Sequence, residues 1–437
     1  PRIMDALGAG PQPSTVVPAN AVAYASVDFN PSVGQKAAAL QFLAKFPSAQ
    51  TQGGTTQPQG GTAEPDLRRA AFDALQKASG SRLNEYDFDL DIKPWLGNRF
   101  AIAAVPAAGG VAIPSLIVQV TDPAKAATAL KALASSSNAE CQVVDHFAVC
   151  AQKGVLAQSV VTDQTQSLDA SKTFRDDVAS VNGDAVATAW GDLASLRKLP
   201  YMSQYLTPYN PLLTGTMALK LRFDGGNAVE VVGQYRGPST FDTGVPAGTQ
   251  IGKLPADTVA ALSSNGLGKS LLARWPEVQK SLPNGSLNAA GFYGLSLPDD
   301  LAGLLGDHAT LGLGGGGSLF APRVALITDG DQSVADKLVS KLGGTLFRAS
   351  QSGQVVLSTS RDYGVSTAST LEDQPTFKAA VPAAAQADAV LFLDVPKLIA
   401  RTGTSARQLV PSGDLDSIAA LGMSSAKTSF VLRLTTT

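Results

Sequence analysis

The sequence repeats itself once, and this repeat constrains the fold more than any other feature. Five short motifs of the first half return in the second half in the same order. The clearest pair is VPANAVA at residues 17–23 and LPADTVA at residues 254–260. The other pairs are residues 96–101 with 305–310, 120–122 with 327–329, 173–175 with 376–378, and 184–186 with 388–390. Corresponding apolar runs must bury corresponding faces, so the repeat predicts two tandem, pseudo-symmetric copies of one folding unit.

The repeat also predicts the domain boundaries. We expect copy one at residues 17–237, a linker rich in Pro, Gly and Thr at 238–252, and copy two at 253–437. Residues 51–65, TQGGTTQPQGGTAEP, lack an apolar period and are expected to form a flexible insertion in copy one. Residues 1–16 are expected to form an extended linker. Because the sequence does not begin with Met, we expect this linker to follow a membrane anchor that is absent from it.

Hairpins dominate the strand connections predicted within each copy. In copy one, strands at 99–105 and 115–121 form a hairpin, and the last hairpin turns at Gly225 and Gly226. Helices with an apolar stripe, such as residues 123–135, separate the hairpins. Antiparallel strands with helices between them indicate an α+β fold with largely antiparallel sheets, not a doubly wound parallel sheet.

The two cysteines have the spacing of a cross-strand pair. Residues 141–150, CQVVDHFAVC, have the pattern of a hairpin with Asp145 and His146 as its two-residue turn. Counting outward from that turn puts Cys141 opposite Cys150 at a non-hydrogen-bonded position, where side chains approach most closely. This geometry suits a disulfide, and a disulfide indicates an oxidising compartment outside the cytoplasm. The alternative is two buried free thiols.

Composition and charge argue against several classes of function. The net charge is −2 and no basic block occurs, so nothing predicts nucleic-acid binding. No apolar run approaches the ~18 residues needed to cross a bilayer. The chain has only two histidines, His146 and His308, and no G-x-S-x-G motif. We therefore expect no catalytic residues, no cofactor and no metal, and predict that the chain is not an enzyme.

Two glycine-rich segments are similar to nucleotide-binding motifs but lack the context that those motifs need. Residues 312–317, GLGGGG, satisfy G-x-G-x-x-G, yet a strand follows where a dinucleotide site needs a helix. We expect a hairpin turn there. Residues 265–270, NGLGKS, are similar to the second half of a P-loop, but Ser263 stands where its first glycine should be. We expect a strand-to-helix turn at this place.

Three alternating aspartates form the acidic cluster that is most similar to a cation site. Asp87, Asp89 and Asp91 would lie on one side of an extended segment, where clustered carboxylates can bind calcium. The glycine and glutamate of an EF-hand are missing, because Ile92 and Asn98 stand at those positions. A solvated strand edge is the favoured interpretation, and a cation site is the alternative.

Three segments resemble the actinobacterial domain-of-unknown-function family 3352. They are residues 17–28, VPANAVAYASVD, residues 34–47, GQKAAALQFLAKFP, and residues 91–99, DIKPWLGNR. The resemblance extends over nearly the whole chain and is most specific in these segments. It implies a single-pass protein of the cell envelope, with this domain outside the cell and one membrane helix before it. The family supplies no activity and no site residues.

Three functions remain open from the sequence. The leading hypothesis is a non-enzymatic, membrane-tethered binding module of the cell envelope, whose partner is an envelope protein, a lipid or a glycan. The second is a structural or scaffold subunit of an envelope assembly, which a large apolar surface patch would favour. The third is a hydrolase of envelope polymers, which needs two carboxylates facing each other across a cleft, ~5–9.5 Å apart.

Overall fold

The chain divides into two compact units, Pro1–Pro238 and Ser239–Thr437, which we name unit 1 and unit 2. The insertion predicted at 51–65 lies outside the residues that the structure describes, as do residues 238–243 of the predicted linker. The structure, a computed structural model, describes residues 10–47, 66–78, 85–107, 110–135, 138–199, 214–237, 244–281, 291, 293–317, 321–351, 353–364, 369–402 and 413–437.

Unit 1 contains a sheet in which each strand is antiparallel to its neighbours. Its strands are β1 Ala23–Asp28, β2 Leu96–Pro106, β3 Ala112–Val120, β4 Ala139–Val144, β5 Phe147–Gln152, β6 Ala187–Asp192, β7 Thr216–Asp224 and β8 Ala228–Arg236. Their order across the sheet is β4-β5-β3-β2-β1-β6-β7-β8. The described helices of this unit are α1 Val33–Leu43, α2 Leu67–Ala78, α3 Pro123–Ser135, α4 Lys172–Ser180 and α5 Leu193–Leu196.

The main core of unit 1 lies on one face of this sheet, which we name its core face. The ring of Phe174, in α4, meets the rings of Tyr24 and Trp190 edge-on, with centroids 5.6 and 5.7 Å apart. Such edge-to-face contacts add to the free energy gained by burying the rings. Further fully buried side chains of this core include Val16, Val17, Ile117, Phe147, Val149 and Leu168.

The opposite face of the unit 1 sheet, which we name its open face, is covered only in part. A second buried cluster places Phe72 of α2 and Phe88 against the sheet residue Val118, and Ala126 of α3 belongs to the same cluster. Elsewhere on the open face, Ile102 of β2 is 61% exposed. One region of the open face is therefore a second core, and another region is accessible.

Unit 2 also contains strands that are antiparallel to their neighbours. Its strands are β9 Thr258–Asn265, β10 His308–Gly317, β11 Pro322–Thr328, β12 Phe347–Gln351, β13 Gln354–Ser358, β14 Ala389–Asp394, β15 Ile418–Ala426 and β16 Ser429–Thr436. Their order is β12-β13-β11-β10-β9-β14-β15-β16. The described helices are α6 Leu267–Ala273, α7 Trp275–Ser281, α8 Asp299–Leu305, α9 Gln332–Leu342, α10 Pro375–Ala380 and α11 Val395–Thr402.

The core face of the unit 2 sheet packs against α10 and the segments that flank it. Phe377 of α10 meets Phe392 of β14 edge-on, with ring centroids 5.1 Å apart. Ala261, Ile327 and Val390 belong to the same cluster. Both units thus combine antiparallel strands with packed helices, which confirms the predicted α+β class.

Both segments that the sequence predicts to be linkers contain packed turns where they approach their units. Residues 1–16 were expected to be extended, but Pro13–Val16 form a 3-10 turn, and the Val16 side chain is buried. The expected linker 238–252 likewise runs into a 3-10 turn at Ile251–Lys253, where Ile251 is fully buried. At these turns the chain is packed and not extended, because the buried side chains of Val16 and Ile251 belong to the cores of their units. The linker boundaries themselves stay a prediction.

Candidate apolar groove

A groove of about 670 Å³ lies on the open face of unit 1. Side chains alternate between the two faces of a strand. Tyr24 therefore enters the core, while its neighbours Ala23 and Ala25 point to the open face. The groove extends over β1, β2, β3, β5, β6 and the start of β4. Its lining on the open face consists of Ala23, Ala25, Ile102, Ala104, Pro114, Leu116, Ala139, Cys150, Gln152 and Ala189.

Two alanines in neighbouring strands account for the depression. Ala25 of β1 is the cross-strand partner of Ile102 on one side and of Ala189 on the other. Ala189 of β6 is in turn the partner of Leu219 in β7. Side chains directly opposite one another lie only ~5 Å apart. Two methyl groups between an isoleucine and a leucine therefore leave unfilled space above the sheet.

The groove is uncharged and offers few hydrogen-bonding groups. None of the residues that line it carries a charge, and Gln152 is the polar side chain on its open-face lining. The strands that form its floor, β1, β2, β3, β5 and β6, each have a hydrogen-bonded neighbour on both sides. Their backbone N–H and C=O groups are therefore satisfied within the sheet. A ligand in this groove would be held by apolar contact, at ~25 cal/mol per Å² buried.

The predicted disulfide is present and borders the groove. Cys141 and Cys150 are linked and lie directly opposite each other in the β4–β5 hairpin, with Cα atoms 4.1 Å apart. The hairpin turns at Asp145 and His146, and Asp145 has a φ of 50°, which aspartate tolerates better than most residues. Cys150 is also the cross-strand partner of Leu116, so the bridge adjoins the apolar lining. The predicted pairing and hairpin register are confirmed.

A second cavity in unit 1, of about 280 Å³, is polar. Arg99 lines it and is only 8% exposed. Its Nε donates to Asp28 Oδ2 at 2.9 Å, and its Nη1 donates to the carbonyl oxygen of Pro11 at 2.7 Å. Asp28 and Arg99 are cross-strand partners in β1 and β2. These contacts fasten the N-terminal segment to the sheet, so we assign the pair a structural role.

The three alternating aspartates do not lie on an extended segment, and that prediction is wrong. Phe88–Ile92 form a π-helical turn, and Asp87 caps it by accepting the backbone N–H groups of Asp89 and Leu90. Asp91 accepts the N–H of Asp87 at 2.8 Å. These capping bonds satisfy backbone N–H groups that, in a strand, would need a partner in a neighbouring strand. The turn is therefore favoured over the strand that the alternating pattern predicts.

Asp89 is paired with cations of the protein itself. It forms ion pairs with Arg69 and with Lys93. The hydrogen bond from Arg69 is the main cause that lowers the pKa of the Asp89 carboxyl. Across the residues that the structure describes, no group of three or more His, Cys, Asp or Glu side chains is arranged to hold a metal ion.

The glycine run at 312–317 belongs to strand β10 and not to a hairpin turn, so the sequence prediction is wrong here. A Cβ atom on Gly312 would lie 2.7 Å from the Tyr363 hydroxyl, and one on Gly314 would lie 2.6 Å from the Tyr363 ring. Tyr363 is fully buried and forms a hydrogen bond of 3.0 Å with Thr258 Oγ1. The glycines therefore make room for a core tyrosine, and the strand conformation follows from its pairing with β9.

The segment at 265–270 forms the predicted strand-to-helix turn. Gly266 has a φ of 63° in the left-handed region, and α6 begins at the next residue. A Cβ atom on Gly268 would lie 2.4 Å from the carbonyl oxygen of Ala302 in α8. Glycine at this position lets α6 pack closely against α8. This packing explains the glycine without nucleotide binding.

His308 and Asp329 form a close pair at the start of the β10–β11 hairpin. His308 Nδ1 lies 2.7 Å from Asp329 Oδ2, and Asp329 Oδ1 accepts the N–H groups of Asp307 and His308, both at 2.9 Å. Burial alone would raise the pKa of Asp329, but these hydrogen bonds outweigh it and hold the pKa below its ordinary value. The arrangement anchors the strand, and sequence reasoning missed it.

A shallow acidic depression of about 610 Å³ in unit 2 has Asp329 in its lining. Three of its carboxylates, those of Asp307, Asp329 and Asp331, have structural partners. Asp307 forms an ion pair with Lys269 at 3.0 Å. Asp331 caps α9 by accepting the N–H of Ser333 at 2.7 Å. The hydrogen bonds from Ser333 lower the pKa of the Asp331 carboxyl, whereas a hydrolase of the carboxylate type needs one of its pair protonated.

Comparison with protein-family models, with curated proteins and with solved structures finds no match for this chain. The resemblance to the family of unknown function therefore stays a prediction. Within its described residues, the protein has no helix that is both long and apolar enough to span a membrane.

Proposed function

We propose that this protein is a non-enzymatic binding module of the cell envelope, and that the groove of unit 1 holds the acyl chain of a lipid. One observation carries the proposal: a groove of about 670 Å³ on an accessible sheet face whose lining is uncharged. Ligand sites of this size usually bury most of a small ligand against apolar side chains. Of the partners that the sequence leaves open, a lipid fits this lining best.

The other two partners fit the groove less well. A glycan is held by hydrogen bonds to its hydroxyl groups, and Gln152 is the polar side chain that the open-face lining offers. A peptide that binds by strand addition needs an unpaired strand edge. The floor strands β1, β2, β3, β5 and β6 have partners on both sides and present no such edge. An acyl chain requires neither hydrogen bonds nor an edge.

The disulfide supports a location outside the cytoplasm. Reducing systems keep thiols free in the cytosol, whereas exported proteins retain their disulfides. The bridge between Cys141 and Cys150 joins an edge strand to its neighbour beside the groove. An envelope location would also bring the groove near lipids.

The proposal includes the tandem copies predicted from the sequence. The order β4-β5-β3-β2-β1-β6-β7-β8 of unit 1 corresponds strand for strand to β12-β13-β11-β10-β9-β14-β15-β16 of unit 2. Equivalent backbone bonds support the correspondence. The N–H of Leu168 donates to the carbonyl of Val17, and the N–H of Leu371 donates to that of Leu254, both at 2.7 Å.

The sheet pairing supports a different alignment for one of the five sequence matches. The N–H of Asp28 donates to the carbonyl of Val186, and the N–H of the equivalent Asn265 donates to that of Asp388. If the two units are aligned by these bonds, Asp388 corresponds to Val186 and not to Asp184. Similar Asp-Ala-Val triplets at both places produced a match that is displaced by two residues.

The same alignment supports a reason for the presence of the groove in unit 1. Leu262 of β9 corresponds to Ala25, and its cross-strand partner Leu391 of β14 corresponds to Ala189. In unit 2, leucine side chains occupy the positions at which unit 1 has the small alanines that leave the groove open. Unit 2 thus supplies a template for filling the groove with residues that a sheet of this kind accepts.

A photoreactive fatty acid tests the proposal. Irradiation followed by mass spectrometry should place the label on peptides that contain Ile102 or Leu116. The double variant Ala25→Leu and Ala189→Leu should abolish this label, because leucines occupy the space of the acyl chain. The control, Ala124→Leu with Ala132→Leu, adds the same atoms to exposed positions of α3 and should keep the label. Labelling of the groove peptides that persists in the filled variant would contradict the proposal.

A scaffold role is the second candidate, and one observation favours it. The face of the unit 2 strands opposite their core face, which we name the open face of unit 2, exposes several large apolar side chains, among them Leu262, Leu311 and Met423. Patches of this kind often mark protein contacts. Assembly into a larger complex that is lost when these residues are made polar would support this role over lipid binding.

A further inference from the structure

One cross-strand row of large apolar side chains runs over the open face of unit 2. Leu311 of β10 is paired with Leu262 of β9, Leu262 with Leu391 of β14, Leu391 with Met423 of β15, and Met423 with Leu432 of β16. All five are 36% to 47% exposed, although the residues on either side of Leu262 are buried. The row is therefore a surface of the sheet, and it was not visible in the sequence.

Among the residues that the structure describes, the open-face positions next to the row carry no charge. In each strand, the residues two positions before and two positions after the row residue lie on the same face. These positions are the first and last residues of the segments 260–264, 309–313, 389–393, 421–425 and 430–434. They are held by Ala260, Ser264, Ala309, Leu313, Ala389, Leu393, Leu421, Ser425, Phe430 and Leu434. Peripheral membrane contact depends on Lys and Arg around an apolar patch. Their absence from these positions favours a single lipid molecule over a membrane surface.

The size of the row argues against a second copy of the chain as its occupant. Five strands at ~4.8 Å spacing give a row about 19 Å long, and three open-face residues per strand make the patch roughly 500 Å². A stable protein interface buries ~800 Å² on each partner. One leaflet of a bilayer holds ~15 Å of hydrocarbon, half of its ~30 Å core. One extended acyl chain therefore matches the row in length.

The backbone beneath the row offers nothing to a peptide. Strands β10, β9, β14 and β15 each have a hydrogen-bonded neighbour on both sides within unit 2. A peptide strand laid across them would find no unpaired N–H or C=O group. Side-chain contact with an apolar chain is the interaction that this face supports.

We infer that this row, which we name the leucine row, is a second binding site for the acyl chain of a single lipid. The inference extends the proposed function to unit 2, but it depends on a different set of residues. A protein with both sites binds two acyl chains per molecule.

Native mass spectrometry with oleic acid measures the number bound, and the photoreactive fatty acid locates each site. The wild-type chain should bind two fatty acids. Leu262→Gln with Leu391→Gln should leave one, with labelling lost from peptides of β14 and β15 and kept on those of β2 and β3. Two polar groups in the row should weaken its site by about tenfold or more. Both positions are exposed, so the fold should tolerate the changes. Val33→Gln, at an exposed residue of α1, is the control and should bind two.

The outcomes separate this inference from the proposed groove. If filling the groove with Ala25→Leu and Ala189→Leu changes nothing while the leucine-row variant loses one fatty acid, the groove fails and the leucine row stands. If the leucine-row variant still binds two, the inference is overturned. It is also overturned if the leucine row supports sedimentation with neutral phosphatidylcholine vesicles, or self-association, without binding free oleic acid.

Discussion

Trp190 Nε1 donates a hydrogen bond of 2.8 Å to Asp177 Oδ2, and both residues are buried in unit 1. Trp190 follows Ala189 in β6. Its ring therefore packs on the core face of the strand, and the opposite side of the same strand lines the groove. Asp177 lies in α4, which packs against β6, β7 and β8. The shape of the groove thus depends on a polar contact that lies beneath it.

Replacement of Asp177 by alanine should destabilise unit 1. The change leaves the Trp190 N–H buried without its acceptor, which typically costs ~1–3 kcal/mol. Urea unfolding followed by Trp fluorescence measures the loss. Asp176→Ala removes a carboxylate from the next position of α4, where the side chain is 38% exposed, and should cost much less. Equal losses in the two variants would show that the bond to Trp190 contributes little.

The disulfide should form in protein that is produced in an oxidising compartment, and it should stabilise the hairpin modestly. Without reductant, the peptide that joins Cys141 and Cys150 should be lighter by two hydrogen atoms than the dithiol form. The bridge closes a short loop, with a sequence separation of 9 residues, so the chain-entropy model gives at most ~3 kcal/mol. Denaturant unfolding with and without a reductant measures this contribution. Free thiols that react with an alkylating reagent in protein produced in an oxidising compartment would contradict the prediction.

The disulfide and the hairpins could be predicted because their determinants are local. The period of two and the spacing between Cys141 and Cys150 fix the register of one hairpin without any other part of the chain. The groove could not be predicted in this way. It depends on Ala25 and Ala189 being neighbours, and nothing in the sequence near either residue says which strand lies beside it. The leucine row is hidden for the same reason, since its members come from five strands.

Local patterns misled where a side chain satisfied the backbone or filled the core. The alternation at 87–91 is typical of a strand, but Asp87 offers its carboxylate to two amide groups and so stabilises a turn. The glycine run at 312–317 is typical of a turn, but the buried ring of Tyr363 needs the space above a glycine strand. Both outcomes depend on atoms that residue type and spacing do not reveal.

Gly314→Ala should lower the stability of unit 2. The new methyl group would meet the Tyr363 ring at 2.6 Å, and overpacking of this kind costs ~1–3 kcal/mol. Gly34→Ala is the matched control, because a Cβ atom there meets nothing within 4 Å and the residue lies in α1. That change should be neutral or stabilise by up to ~1 kcal/mol, since alanine favours a helix. Thermal unfolding compares the two, and equal melting temperatures would contradict the packing role of Gly314.

The stability of unit 2 should fall in acid partly because of Asp329. Burial raises the pKa of this carboxyl. The hydrogen bonds from the His308 ring and from two backbone N–H groups lower the pKa by more than burial raises it, so the folded pKa lies below its ordinary value. The ionised form therefore stabilises the fold above the unfolded pKa, and this contribution is lost as the pH falls through the folded pKa. We expect wild type to lose more free energy of unfolding than Asp329→Asn between about pH 5 and pH 2, because the variant has no carboxyl to protonate. Urea unfolding at a series of pH values measures both slopes. Asp336→Asn, at a side chain that is 59% exposed, controls for the loss of one carboxylate. Parallel pH profiles for wild type and Asp329→Asn would show that the pair with His308 does not contribute to folding.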